Sequence, residues 1–155
     1  MNINISRATL NDADSLTQIA ISAKRHWNYP EAWIQHWLPQ LTISEEYIST
    51  NEVWIMTDGG KAIAFYALSQ DEEGWELGHL WVFPEYIGKG IGKQLMNHVF
   101  ERCKMLNIST LKIYADPNAQ FFYEKMGAKK VGESKSDLFG QERVLPVMEI
   151  QIDFW

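Results

Sequence analysis

The segment 80–95 reads LWVFPEYIGKGIGKQL and runs from an apolar strand through a glycine-rich turn into a helix. Such a junction suits an anion, because glycines let the backbone approach a phosphate closely and consecutive N–H groups can converge on its oxygens. The N-terminus of the helix adds roughly half a positive charge. The segment therefore predicts a pyrophosphate site, although turns rich in glycine and lysine also cap helices without binding a ligand.

Spacing excludes two familiar nucleotide motifs. A P-loop continues its Gly-Lys pair with Ser or Thr, whereas Gln94 follows Gly92-Lys93 here. Counted from Gly88, the third glycine of the dinucleotide fingerprint falls on Lys93. The turn thus predicts neither a P-loop nor the fingerprint of a nucleotide-dependent oxidoreductase.

Composition limits the class of protein. The 155 residues are 46% hydrophobic and 13% aromatic, which predicts a single domain over residues 1–155 with a proper core. No apolar run approaches the roughly 18 residues of a membrane span, and the N-terminus lacks a signal segment, so we expect a cytoplasmic protein without membrane association. A formal charge of −6 argues against a nucleic-acid partner.

Cysteine and histidine usage points away from metal and thiol chemistry. The single Cys103 excludes an internal disulfide and falls within a helical apolar pattern, which favours core packing over nucleophilic catalysis. The four histidines show no metal-ligand spacing. We therefore expect no metal.

Hydrophobic periodicity predicts the order β-α-α-β-β-β-α-β-α-β-β, which is a mixed, mostly antiparallel sheet flanked by helices in the α/β (α+β) class. Asn11 or Asp12 is expected to cap the first helix, and Ser44 marks the start of a short additional helix. Asp58-Gly59-Gly60 predicts a hairpin, and the last two strands are expected near 130–134 and 144–152.

Three segments together carry a family resemblance. They are the strand ELGHLWV (76–82), the loop 84–92 and the motif NAQFFYEKMG (118–127), in this order along the chain. This combination resembles the GNAT superfamily of N-acetyltransferases, which implies splayed central strands and acetyl-CoA as the co-substrate. One residue departs from the pattern, because Ile87 stands where the family loop usually has Arg or Gln.

The resemblance implies where acetyl-CoA would bind. The pyrophosphate would lie on the backbone amides of the loop, with Lys89 and Lys93 as charge partners. The pantetheine arm would follow the strand after Gly78, whose lack of a side chain is typical of a bulge or a close backbone approach. The cofactor-binding residues implied in this way are Leu80, Trp81, Val82, Ile87, Gly88, Lys89, Gly90, Ile91, Gly92, Lys93, Asn118, Phe122 and Tyr123.

The resemblance also implies direct attack of a primary amine on the thioester in a ternary complex. Tyr123 matches the family tyrosine that can protonate the leaving thiolate. A lysine-like amine of pKa about 10.4 must lose a proton before it attacks, and Glu76 is our candidate general base, acting through water. His79 is the rival base.

The sequence says less about the acceptor substrate than about the co-substrate. The segment 26–38 is rich in tryptophan, and in GNAT-like folds this region forms one wall of the acceptor site. We expect Trp27, Tyr29, Trp33 and His79 to bind the acceptor, an amine of a small molecule or a peptide that is cationic or carries a ring. Alternatively, Trp33 and Trp37 simply cover the sheet.

Two further alternatives stay open. A chain that binds or senses acyl-CoA without catalysis is the second functional interpretation. A homodimer is compatible with the resemblance.

Overall fold

A computed structural model describes residues 1–154 of the chain. The strands are β1 (Ile3–Arg7), β2 (Glu52–Asp58), β3 (Lys61–Asp71), β4 (Gly74–Val82), β5 (Thr110–Tyr114), β6 (Lys129–Leu138) and β7 (Gln141–Gln151). The α-helices are α1 (Ala13–Arg25), α2 (Glu31–Leu41), α3 (Glu45–Thr50), α4 (Ile91–Met105) and α5 (Gln120–Lys125). Short 3-10 turns span Leu10–Asp12, Pro84–Tyr86 and Pro117–Ala119.

The strands are hydrogen-bonded in the order β1-β2-β3-β4-β5-β7-β6. The pairs β1–β2, β2–β3, β5–β7 and β6–β7 are antiparallel, whereas β4 and β5 are parallel. This mixed, mostly antiparallel sheet with flanking helices confirms the predicted fold class. The helix signalled by Ser44 is also present as α3, where the Ser44 hydroxyl accepts from the backbone N–H of Tyr47 at 3.0 Å.

The pairing of β4 with β5 is short. It consists of Trp75 opposite Leu111 and Glu76 opposite Lys112, at the beginning of the nine-residue strand β4. Confinement of the ladder to one end of β4 agrees with the splayed central strands that the family resemblance implies.

The chain divides into two compact units. The first contains residues 1–68 and 79–95, and the second contains residues 69–78 and those from 96 onward. Each unit has its own buried side chains, which follow directly from the periodicity of its elements.

In the first unit, α1 presents one apolar stripe to the core. Leu16, Ile19, Ala20 and Ala23 recur at helical spacing and are all buried. Asp12 precedes α1 as predicted, but its carboxylate accepts from the backbone N–H of Thr9 at 2.7 Å and so caps the preceding 3-10 turn. Leu16, Ile19 and Ala20 belong to one core cluster, whose other members are Ala8, Leu41, Ile43, Ile48, Val53, Ile55, Phe65 and Ala67.

In the second unit, buried residues come from α4, β5 and β7 and also include Leu77, Tyr123 and Leu138. Cys103 is fully buried on α4, as its position in the apolar pattern predicted. Strands β6 and β7 are longer than predicted and pair from Lys129 opposite Glu149 to Leu138 opposite Gln141. Most of β6 is exposed, so its sequence lacks the alternation of apolar and polar residues that marks a half-buried strand.

None of the helices in residues 1–154 is long and apolar enough to cross a lipid bilayer.

Replacing Leu16 by Ala should lower the free energy of unfolding by about 2–5 kcal/mol, because a fully buried leucine is removed from the core of the first unit. Leu10→Ala is the matched control, since Leu10 is 47% exposed and its loss should change stability by no more than about 0.5 kcal/mol. Urea denaturation followed by circular dichroism measures both variants. If both variants lost the same free energy of unfolding, the buried face of α1 would contribute no more to stability than an exposed side chain.

Candidate active site

The turn that leads into α4 has the backbone of an anion site. Gly88 and Gly90 have φ angles of +81° and +79°, in the left-handed region, and a Cβ atom at either position would meet no atom within 4 Å. The first helical hydrogen bond runs from the N–H of Gln94 to the carbonyl of Gly90 at 3.1 Å, so the N–H groups of residues 91–93 precede it. Open space beside the glycines together with forward-pointing N–H groups fits a diphosphate.

A side-chain hydrogen bond to the distant residue Asp58 holds the start of this turn. The Tyr86 hydroxyl donates to Oδ2 of Asp58 at 3.0 Å, and the backbone N–H of Asn2 donates to Oδ1 of the same carboxylate at 2.9 Å. These two donors lower the pKa of Asp58, which keeps the carboxylate ionised as an acceptor. Sequence reasoning did not identify Asp58 or Tyr86, because nothing in the local sequence signals a bond between residues 28 positions apart.

Both lysines that were predicted to contact the pyrophosphate lie at the surface. Lys89 and Lys93 are exposed, and Nζ of Lys89 lies 5.2 Å from the centroid of the Tyr86 ring. Ile87 is 45% exposed, so an apolar side chain reaches solvent at the position where the family usually has Arg or Gln. The side chain of Ile87 therefore offers a phosphate no charge or hydrogen bond, and the backbone and the two lysines are the predicted contacts.

His79 and Trp81 form a hydrogen-bonded pair on β4. The indole N–H of Trp81 donates to Nδ1 of His79 at 2.9 Å, and the imidazole lies against Tyr47 and Phe65, with ring centroids 5.5 and 5.9 Å away. Burial lowers the pKa of His79 to about 4.

This pairing defines what His79 can do. At neutral pH its imidazole is uncharged, Nδ1 is occupied as an acceptor, and the network therefore assigns the single proton to Nε2. Neither nitrogen is ready to take a proton, which counts against His79 as the base, while the role of Glu76 stays a prediction. His79 instead retains an N–H group that can donate to a ligand.

An aromatic cluster lies where the sequence predicted an acceptor wall. Tyr29 stacks on Trp33 with centroids 5.9 Å apart, and Trp37 meets Tyr29 edge-on at 5.1 Å. Trp27 is 40% exposed and lies edge-on to His26 at 5.2 Å. The structure thus brings Tyr29 and Trp33 together, while a role of these residues in binding the acceptor stays a prediction.

The same cluster contains a cation that sequence reasoning missed. Nζ of Lys24 lies 4.3 Å from the centroid of Trp37, 5.0 Å from that of Tyr29 and 5.9 Å from that of Trp81. A signal was present in the sequence, because Lys24 is four residues after Ala20 and so continues the apolar stripe of α1.

In the second unit, Glu76 occupies a partly buried position on β4. Burial and the neighbouring Asp71 raise the pKa of Glu76, whereas Lys112 acts in the opposite direction. Lys112 also donates to Glu73 at 3.2 Å, so its charge is shared. A raised pKa makes Glu76 a stronger proton acceptor than an ordinary carboxylate, as general-base catalysis near neutral pH requires.

Tyr123 is buried on α5 with its hydroxyl in the protonated form. Burial, and secondarily the charge of Asp116, raises the pKa of Tyr123. Asp116 caps the preceding 3-10 turn, where one carboxylate oxygen accepts from both the backbone and the side-chain N–H of Asn118 at 2.9 Å. Arg143 donates to the other carboxylate oxygen at 3.4 Å.

This capping fixes the segment that carries Asn118, Phe122 and Tyr123. A neutral, buried tyrosine hydroxyl is chemically suited to donating a proton or hydrogen bond. Asp116 and Arg143 were not predicted as parts of this support.

The thiol of Cys103 is buried among the core residues of α4. Burial raises the pKa of Cys103 to about 11, so its thiol is protonated at neutral pH. In residues 1–154, no group of three His, Cys, Asp or Glu side chains is placed to hold a metal ion.

Comparison with known proteins identifies related sequences and folds. The family model described as an acetyltransferase (GNAT) domain matches residues 13–137. The uncharacterised N-acetyltransferase ycf52 of Porphyra purpurea is 24% identical over 115 residues, which cover 72% of this chain and 66% of that protein. The peptidyl-lysine N-acetyltransferase YiaC of Escherichia coli strain K12 is 27% identical over 103 residues, covering 65% of this chain and 66% of that protein.

The chain thus spans just under two thirds of the length of these two relatives. Among solved structures, the PaiA N-acetyltransferase of Thermoplasma acidophilum in complex with coenzyme A has a TM-score of 0.76 at 22% identity. The alignment covers 97% of this chain and 99% of that chain, which shows a shared fold.

The lowered pKa of His79 predicts a specific loss of stability in acid. As the pH falls from about 6.5 towards about 4, the unfolded chain binds a proton at His79 that the folded chain does not, so stability falls across this window. In His79→Gln this contribution is absent, while the amide oxygen can still accept from Trp81. Urea midpoints measured between pH 4 and 7.5 should therefore fall less steeply for His79→Gln than for the unsubstituted protein.

His36→Gln, at an exposed histidine of α2, is the control and should follow the unsubstituted protein. Parallel curves for all three proteins would contradict the assignment of a neutral His79.

Proposed function

Since the chain belongs to the acetyltransferase (GNAT) domain family, we propose that it transfers the acetyl group of acetyl-CoA to a primary amine of a small molecule or peptide. The amine attacks the thioester directly in a ternary complex. A new N–C bond forms as the C–S bond breaks, the nitrogen of the neutral amine loses one proton, and the departing thiolate gains one. The extra proton of the ammonium form passes to solvent, so no further reactant is needed. The observation that carries this proposal is the open, left-handed turn at 88–90 that leads into α4, within a chain of this family.

Cofactor binding is assigned to backbone groups. The N–H groups of the turn and of the first residues of α4 hold the pyrophosphate, and Lys89 and Lys93 add charge at the surface. The other proposed contacts are Leu80, Trp81, Val82, Ile87, Asn118, Phe122 and Tyr123. Acetyl-CoA supplies an acetyl group that is already activated as a thioester.

Removal of the amine proton is the first chemical requirement. At pH 7 an amine of pKa about 10.4 is uncharged in only about one molecule in 2,500, which corresponds to about 4.6 kcal/mol. Glu76 accepts this proton through water, helped by its raised pKa. His79 is not assigned this role, because its accepting nitrogen is bonded to Trp81.

Protonation of the thiolate is the second requirement, and it is assigned to Tyr123. Its hydroxyl stays protonated because its pKa is raised by burial, and the segment is held by the cap at Asp116. A backbone N–H near Val82 polarises the thioester carbonyl.

The single domain, the homodimer and the cytoplasmic location stay predictions of the sequence.

Acetyl transfer is tested by thiol release from acetyl-CoA in the presence of a panel of amines. Tyr123→Phe should lower kcat about 100-fold, since a positioned proton donor contributes about 10²–10⁴-fold, while the affinity for acetyl-CoA changes little. Tyr114→Phe, at an exposed tyrosine, should keep full activity. Full turnover by Tyr123→Phe would refute the acid role, and binding of acetyl-CoA without turnover of any amine would indicate an acyl-CoA sensor.

The turn is tested by Gly90→Glu, which adds a carboxylate where a phosphate is proposed to lie. Affinity for acetyl-CoA, measured by isothermal titration calorimetry, should fall at least about 100-fold, because like charges then meet at the site. Gly140→Glu is a closely matched control, since Gly140 lies in the β6–β7 turn with a φ of +82°, and a Cβ atom there would also meet no atom within 4 Å.

The control should retain its affinity, and both variants should keep the circular dichroism spectrum of the unsubstituted protein. If Gly90→Glu binds acetyl-CoA normally, the pyrophosphate does not lie on this turn.

A further inference from the structure

An ion pair with little exposure joins β7 to the loop that precedes α5. Nη2 of Arg143 lies 3.4 Å from Oδ2 of Asp116, and the two side chains are only 14% and 11% exposed. A backbone bond accompanies this contact, since the N–H of Ala115 donates to the carbonyl of Pro146 at 3.0 Å. Arg143 itself stands opposite Ser136 in the β6–β7 ladder. The loop is therefore tied to a paired strand by both main chain and side chain.

Stability alone does not account for this pair. Two poorly hydrated charges lose much of their solvation energy, and apolar side chains of similar volume in their place often leave stability unchanged or higher. The more exposed pair of Lys130 with Glu133 on β6, at 3.1 Å, avoids this loss because it remains hydrated. A charged pair held out of water is useful where it fixes one arrangement of its neighbours.

The other oxygen of Asp116 determines how the Asn118 amide is turned. It accepts from the backbone N–H of Asn118 and from the side-chain Nδ2, each at 2.9 Å. An ionised carboxylate can only accept, so the NH2 end of the amide must face Asp116 and the carbonyl end must face away from it. Asn118 therefore presents an acceptor, rather than a donor, on the side away from Asp116.

We infer that Asp116 and Arg143 are positioning residues of the co-substrate site, which hold the Asn118 amide so that its Oδ1 accepts from an amide N–H of the pantetheine arm. This inference rests on the proposed binding of acetyl-CoA, whose arm carries two such N–H groups. Arg143 holds Oδ2 of Asp116 while Oδ1 accepts from Asn118, so the carboxylate keeps one orientation. The effect of both residues on the co-substrate passes through Asn118.

The test is a double-mutant cycle on the affinity for acetyl-CoA, measured by isothermal titration calorimetry. Arg143→Met should weaken binding about tenfold, as the loss of one hydrogen bond to the ligand does. Asn118→Ala should weaken it by a similar factor. In the Asn118→Ala background, Arg143→Met should change the affinity less than about twofold, because the residue through which Arg143 acts is absent. A merely structural role of Arg143 would lower the affinity by the same factor in both backgrounds.

Further variants separate the orientation of Asn118 from folding, which circular dichroism checks for each of them. Arg143→Lys keeps the charge beside Asp116 and should bind acetyl-CoA within about threefold of the unsubstituted protein. Lys130→Met removes the cation of the more exposed pair and should leave the affinity unchanged. If Arg143→Met does not fold, Asp116→Asn takes its place in the cycle with the same expected result, because it keeps the shape and removes the charge that holds Arg143.

The outcomes separate this inference from the proposed function. If acetyl-CoA binds and Arg143→Met leaves its affinity unchanged, or if the effects of Arg143→Met and Asn118→Ala multiply, the positioning role is refuted while acetyl transfer still stands. If acetyl-CoA binds but no amine is acetylated, a cycle with the expected coupling still supports the inference. Absence of acetyl-CoA binding to the unsubstituted protein would refute both.

Discussion

The backbone leaves β4 through a left-handed turn and enters α4 with N–H groups that precede the first helical hydrogen bond. Such groups need acceptors from outside the helix. Because the space beside Gly88 and Gly90 is open, a bound anion can supply these acceptors. A site made of backbone groups is useful only if the turn keeps its shape, and the hydrogen bond from Tyr86 to Asp58 provides that restraint.

Burial shifts the pKa values of His79, Tyr123 and Glu76. Burial disfavours the charged form of each, so His79 is neutral, Tyr123 keeps its proton, and Glu76 becomes easier to protonate. The consequences differ because the groups differ. A neutral histidine that accepts from Trp81 loses its basicity, a protonated tyrosine remains a donor, and a carboxylate with a raised pKa becomes a better base.

Local patterns in the sequence predicted local structure. The apolar stripe of α1, the hairpin at Asp58-Gly59-Gly60 and the capped start at Ser44 all depend on neighbouring residues, and the structure has each of them. The bond between Asp58 and Tyr86 joins distant segments, so no local pattern could reveal it.

The full length of β6 was missed for a different reason. Its side chains are mostly exposed, so no burial imposes an alternating pattern on its sequence. Lys24 was visible as an interruption of the apolar stripe of α1, but only the distances to Trp37, Tyr29 and Trp81 show what surrounds its charge.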